Sequence, residues 1–147
     1  MAKSFPPKKY KPYRASNVSQ LKFKQTYRCD GCGMQYVKPP SQCKAKGCTS
    51  MAFTFFHSTA EANRWSALLL LQERGVISNL DRQVRKNLHT VTPNGDKIKV
   101  GALVPDFEYD RDGVRVVEDT KGGETDLSKW KHRHFKAEYG VEILLTQ

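Results

Sequence analysis

The 147-residue sequence predicts an α/β fold, a mixed-sheet body of order αβββαβ behind a small cysteine-rich appendage, on three observations. An apolar stripe with helical spacing follows Ser58, β-prone stretches separated by turn residues run from Gln83 to Lys121, and all four cysteines fall between Cys29 and Cys48. The first 28 residues hold eight Lys or Arg and no acid. The expected division is therefore a flexible basic tail over 1–26, the appendage over 27–50 and the body over 51–147.

Taken in order, the cysteines form Cys29-x2-Cys32 and, after ten residues, Cys43-x4-Cys48. Two short pairs joined by a loop grip the four corners of a tetrahedral Zn²⁺, and four thiolates close its shell, so the metal is expected to be structural and the segment a zinc ribbon. Gly31, Gly33 and Gly47 suit tight turns around the thiolates. Two disulfides are the alternative, disfavoured because nothing points to an oxidising compartment. A segment this short buries too little surface to fold without its metal.

In the body, Ser58-Thr59-Ala60-Glu61 has the form of a capping box, which starts a helix over 59–74 with Ala62, Trp65, Leu68, Leu69 and Leu71 facing the core. Arg74-Gly75 stops it. Gln83–Val91 and Ile98–Tyr109 are expected as two arms of a hairpin around Pro93-Asn94-Gly95-Asp96. A second turn, Asp110-Arg111-Asp112-Gly113, leads into a third strand, Val114–Lys121. Gly122-Gly123 ends that strand, a second helix covers Asp126–Tyr139 up to Gly140, and Val141–Leu145 returns as a parallel strand.

Register decides which acids meet. If Asp110 pairs with Gly113, Asp106 lies opposite Val117 and diagonal to Asp119, so that Asp106, Asp119 and Lys121 share one face while Glu118 takes the other. A one-residue change at the turn would exchange Glu118 for Asp119. Two strand carboxylates and a backbone carbonyl suit Mg²⁺, and an adjacent Lys suits phosphodiester hydrolysis. The same charges also fit an ordinary solubilised edge strand.

The net charge of +10 favours a polyanionic partner, and nucleic acid first among these. The strongest apolar run, Ala67–Leu71, falls far short of the roughly 20 residues that cross a bilayer, and no signal-peptide pattern precedes it, so no membrane partner and a cytoplasmic location are expected. Candidate DNA contacts are Lys8 and Lys9 of the tail, Lys38, Lys44 and Lys46 of the ribbon, and Lys129, Lys131, Arg133 and Lys136 of the second helix. Tyr10, Tyr13, Tyr27 and Tyr36 either stack on bases or pack the ribbon. His57, His89, His132 and His134 show no metal-ligand spacing and are expected to be structural or phosphate-contacting.

Pro105-Asp106, twelve residues, then Asp119-Thr120-Lys121 resembles the PD-(D/E)XK nuclease signature. The string from Ser58-x2-Glu61-Ala62 through Gln83, Val104-Pro105-Asp106-Phe107 and Val116–Gly122 to Tyr139-Gly140-Val141-Glu142 is similar to small phage-encoded members of that superfamily. The resemblance implies a restriction-endonuclease-like αβββαβ core. It also implies Asp106, Asp119 and the Thr120 carbonyl as ligands of Mg²⁺ (or Mn²⁺), Lys121 acting on the water or the scissile phosphate, and Glu61 completing the site directly or through water. Gln83 matches a recurrent polar position of undefined role, counted among the DNA contacts. The implied activity is an endodeoxyribonuclease, of the Holliday-junction resolvase type acting on branched or structured DNA, in a homodimer. The competing expectation is an inactive nuclease-like scaffold whose ribbon and tail bind DNA during phage assembly or host takeover.

Overall fold

The computed structural model describes residues 25–120 and 124–146. Most of the expected tail, with Lys8, Lys9, Tyr10 and Tyr13, lies outside the described residues, as does Lys121.

The described residues form a mixed α/β architecture of two helices and three sheets, one of them mixed. Helix α1 spans Thr59–Glu73. Ser58 is extended and its Oγ accepts the Glu61 N–H at 3.1 Å, satisfying one of the helix's orphan donors. Glu61 Oε2 accepts the amide of His57 at 3.1 Å, one residue ahead of the cap. At the other end Gly75 takes the left-handed conformation (φ 70°) that the sequence pattern predicts. Helix α2, Asp126–Tyr139, starts on a closed capping box between Thr125 and Ser128 and ends at left-handed Gly140 (φ 69°).

Between the helices the strands are β4 (Ser78–Arg82), β5 (Lys86–Val91), β6 (Lys97–Leu103), β7 (Phe107–Arg111) and β8 (Val114–Thr120), and β9 (Ile143–Thr146) follows α2. The principal sheet has the order β4-β7-β8-β9, antiparallel except for the β8–β9 pair, while β5 and β6 form a separate hairpin. Three expectations change here. The long arm Ile98–Tyr109 is two strands in two sheets, divided at Val104-Pro105-Asp106, because Pro105 has no N–H to continue a ladder. Strand β4 lies where no strand was expected, in a turn-like Ser78-Asn79-Leu80-Asp81-Arg82 segment with a bulge between Ser78 and Asp81 and a positive φ of 50° at Asn79. The last strand begins at Ile143 rather than Val141.

The β7–β8 register also differs. Asp110 faces Arg115, not Gly113, because the reversal is a tight Asp112-Gly113 turn with both residues at positive φ (53° and 76°). A shift of two leaves side-chain parity intact. Phe107, Tyr109, Val116 and Glu118 therefore point to one face and Glu108, Val117 and Asp119 to the other.

The α1 face is packed by Phe56, Ala62, Leu68, Ile77, Phe107 and Tyr109, with Trp65 stacked on Phe107 at 5.8 Å between ring centroids. On the opposite face Leu88, Leu103, Val117, Phe135 and Ile143 join the hairpin and α2 to the sheet. Each fully buried aliphatic or aromatic side chain contributes about 1.5–3 kcal/mol. Glu118, wholly buried, is held by a two-pronged Arg64 contact at 2.6 and 2.8 Å and by the hydroxyls of Tyr109 and Thr146, both at 3.0 Å.

Strands β1 (Thr26–Cys29), β2 (Gln35–Tyr36) and β3 (Phe53–Phe56) form the cysteine-bearing sheet in the order β2-β1-β3. A boundary at residue 50 thus falls inside a hydrogen-bonded unit, since β3 closes the ribbon sheet and its Phe56 enters the body's core. Three side-chain bonds tie this sheet to α1: Arg28 Nε to Ser66 Oγ at 2.7 Å, Gln35 Nε2 to Asn63 Oδ1 at 2.6 Å, and the hydroxyls of Thr26 and Thr59 at 3.0 Å.

Candidate metal centres

The turns after β1 and before β3 bring the four cysteines together. Their sulfurs all lie within 4.8 Å of one another, and no disulfide joins them. Cys29 and Cys48 Sγ are 3.7 Å apart and Cys32 and Cys43 Sγ 3.5 Å. Four thiolates each about 2.3 Å from one Zn²⁺ would stand roughly 3.8 Å apart, whereas a disulfide needs about 2.05 Å. The donor set and spacing fit structural zinc. Burial opposes ionisation of Cys29, yet the backbone amides of Cys32 and Gly31 draw its thiol down to about 6, whereas Cys32, with the Met34 amide opposing, is pushed up to about 12 by burial and by the neighbouring cysteines.

Tyr36 and Tyr27 pack this unit. The Tyr36 hydroxyl contacts Cys43 Sγ at 3.2 Å and accepts the Lys44 amide at 2.9 Å, and Tyr27 lies against Phe55 with ring centroids 5.3 Å apart. Lys38, Lys44 and Lys46 are exposed on the ribbon.

The second centre lies where β7 and β8 begin and end. Continuing the observed register one step beyond Phe107 and Glu118 sets Asp106 opposite Asp119, and the Thr120 amide donates to Asp106 Oδ2 at 2.7 Å. Asp119 is buried. Burial pushes the Asp106 carboxyl up to about 7, the Thr120 amide opposing and the negative charges of Asp119 and Glu61 adding to the rise. Those three acids thus share one electrostatic environment, although among the described residues only the cysteines gather three or more ligand atoms within 4.8 Å. Glu118 takes no part in it, being committed to Arg64 on the far face. Thr120 sits at the same strand end, and Lys121 follows it outside the described residues.

Glu61, from the first turn of α1, is buried at the edge of this group. Its carboxylate accepts from His57 and, at 3.3 Å, from Gln83 Nε2, with an Arg82 guanidinium nitrogen 3.7 Å away. Gln83 is joined to the site twice, because its backbone amide donates to the Asp106 carbonyl at 3.0 Å. It holds a φ of +53°, a conformation costly for a residue with a Cβ and one that tends to gather at functional sites.

Sequence spacing alone did not single out His132. Its ring, mostly buried, brings Nε2 to 3.3 Å from Asp119 Oδ2 and Nδ1 to 3.3 Å from Glu124 Oε1, although at Nε2 the approach lacks hydrogen-bond alignment. Only the packing of α2 against the end of β8 makes that contact. His89 and His134 lie elsewhere, converging on Glu138, while His57 stays beside Glu61. The Glu138 carboxyl is pulled down to about 2 by the His89 amide and ring and by Lys97.

The candidate DNA contacts of α2 divide between two grooves. Lys131 lines one that includes Asp119, and Lys129, Arg133 and Lys136 line another with Glu124 and Glu142. No helix among the described residues is long and apolar enough to cross a membrane.

Fold and centres define a mixed α/β protein carrying a four-cysteine cluster and a buried group of acids. The model of a family described as a protein of unknown function (DUF1064) matches residues 41–146, most of the chain and all of the acidic group, and the protein belongs to that family. No curated protein and no solved structure matches it.

Proposed function

We propose that this protein is a Mg²⁺-dependent endodeoxyribonuclease of the PD-(D/E)XK kind, with a structural zinc ribbon. The observation that carries the proposal is the pairing of Asp106 with Asp119 at the ends of adjacent strands, with Asp106 held near neutral acidity by burial and by two neighbouring acids. Crowding carboxylates until one of them resists ionisation is costly unless a cation offsets it. With the β5–β6 hairpin set aside, α1, β4, β7, β8, α2 and β9 follow the order αβββαβ, which supports the same reading.

Asp106 and Asp119 would hold the ion with the Thr120 carbonyl, and Glu61 would reach it directly or through water. When bound, the ion polarises the phosphodiester and acidifies the attacking water. Gln83 and Arg82 steady the Glu61 carboxylate, His132 lies against Asp119 from the α2 side, and Lys121 is assigned to the water or the scissile phosphate. The positive charge of the chain favours DNA as substrate. Branched DNA, cut by a homodimer in the manner of a junction resolvase, is the substrate class assigned by the resemblance.

Four-way-junction, flap, single-stranded and plain duplex DNA, each incubated with the zinc-loaded protein in Mg²⁺, test the proposal. Cleavage of the junction ahead of the duplex is expected. Absence of cleavage on all four, with DNA binding retained, would favour the inactive scaffold instead.

A further inference from the structure

One groove of the molecule combines an acid of the proposed metal site with two cations that pair with no acid among the described residues. It has a volume of about 540 Å³ and runs between the end of β6 and the start of α2, with Asp119 at one wall. Arg85, from the β4–β5 connection, and Lys131, on α2, both line it, and neither makes an ion pair or side-chain hydrogen bond among the described residues. Val104 and Leu127 flank them and are exposed. The polar side chains of Thr125 and Ser128 are already spent on the α2 capping box.

The neighbouring groove on the other side of α2 differs, though it too is basic. It measures about 360 Å³, carries Glu124 and Glu142 among its own lining residues, and has Lys136 paired to Glu142 at 3.0 Å. Its cations are partly neutralised from within, and Asp119 does not line it.

We infer that the Arg85–Lys131 groove is the track of the DNA backbone, holding the phosphates next to the one presented at Asp106 and Asp119. The inference rests on the nuclease reading for its placement of the scissile bond. Arg85 is exposed and Lys131 half-buried, so both can reach an anion without giving up an existing pair, and two such cations set along one groove suit a ligand that carries several phosphates in a row. Val104 and Leu127 give the apolar faces of the sugars a surface between those phosphates. On this assignment the basic character of α2 is not a uniform DNA-binding face. Lys131 binds DNA together with a residue from a distant loop, and Lys129, Arg133 and Lys136 do not.

The test removes equal charge from each groove. Binding of the zinc-loaded full chain to a labelled four-way junction and to duplex is measured by fluorescence anisotropy from 50 to 300 mM salt. Ca²⁺ replaces Mg²⁺ so that bound DNA is not cut. Wild type is compared with Arg85→Ala/Lys131→Ala and with Lys129→Ala/Arg133→Ala. Because each neutralised phosphate contributes about 0.9 to the slope of log K against log salt, the first pair is expected to lower the slope by about 2 and affinity at 100 mM salt by at least about 10-fold. The second pair is expected to change affinity by less than about 2-fold. Equal losses in both variants, or no loss in the first, would overturn the groove assignment. Since the readout is binding, a wild type that binds with this pattern but never cleaves in Mg²⁺ sinks the nuclease reading and leaves the groove standing. A wild type that cleaves while Arg85→Ala/Lys131→Ala binds and cleaves normally does the reverse.

Discussion

Replacing Asp106 by Asn should stabilise the protein in the absence of Mg²⁺, and by an amount that depends on pH. The carboxyl ionises at about 7 in the folded chain against 3.8 ordinarily, first because it is buried and then because Asp119 and Glu61 lie close. A gap of roughly 3 units corresponds to a ceiling of about 4 kcal/mol, and partial exposure to solvent reduces it to roughly 1–2 kcal/mol. Because the folded value is the raised one, the stability carried by the protonated form is complete below about pH 4 and is lost as pH rises through about 7. Asn keeps an oxygen for the Thr120 amide, bonded at 2.7 Å in the wild type, and never acquires the charge. Urea unfolding of zinc-loaded, magnesium-free protein at pH 5 and pH 8 measures the effect. Asp106→Asn should exceed wild type by roughly 1–2 kcal/mol at pH 8 and by clearly less at pH 5. Addition of Mg²⁺ should stabilise wild type at pH 8 and leave the variant unmoved. A variant less stable than wild type at pH 8, or a gap that ignores pH, would refute the reasoning.

Arg64→Ala strips the wholly buried Glu118 of its ion-pair partner and should cost about 3–5 kcal/mol in denaturant melts, far more than loss of a surface pair. Gln83→Gly relieves a φ of +53° and should raise stability by up to about 1 kcal/mol while lowering cleavage, since it also releases Glu61; a fall in both would place Gln83 among ordinary structural residues. Removing zinc should melt β1 to β3 and also lower the unfolding temperature of the body by several degrees, because Arg28, Gln35 and Thr26 brace α1; an unchanged body transition would show the ribbon to be energetically separate.

Both helices were legible almost to the residue, because most of their ends are written in local chemistry: Ser58 at the start of the first, Gly75 and Gly140 at the stops, whereas the Thr125 cap of the second emerges only in the structure. The face shared by Asp106 and Asp119 was legible for a subtler reason. The turn lies one residue further along than the pattern predicts, which shifts every pairing by two, and a shift of two conserves the alternation of side chains. Strand β4 escaped notice because Ser78, Asn79 and Asp81 read as turn residues, and its strand state is imposed by pairing with β7 rather than by propensity. The hairpin was drawn too long because apolar character runs on past Leu103, whereas Pro105 forces the chain from one sheet to another. Contacts made only by tertiary packing, His132 with Asp119 and Gln83 with Glu61, have no local signature.

The most direct test of the nuclease proposal is a comparison of wild type with Asp119→Asn on four-way-junction DNA, at matched zinc content and confirmed folding, across a Mg²⁺ titration. The account predicts cleavage that saturates with Mg²⁺ in the wild type and falls by at least about 100-fold in the variant, with junction binding in Ca²⁺ retained. Equal cleavage by the two proteins, or cleavage independent of Mg²⁺, would contradict it.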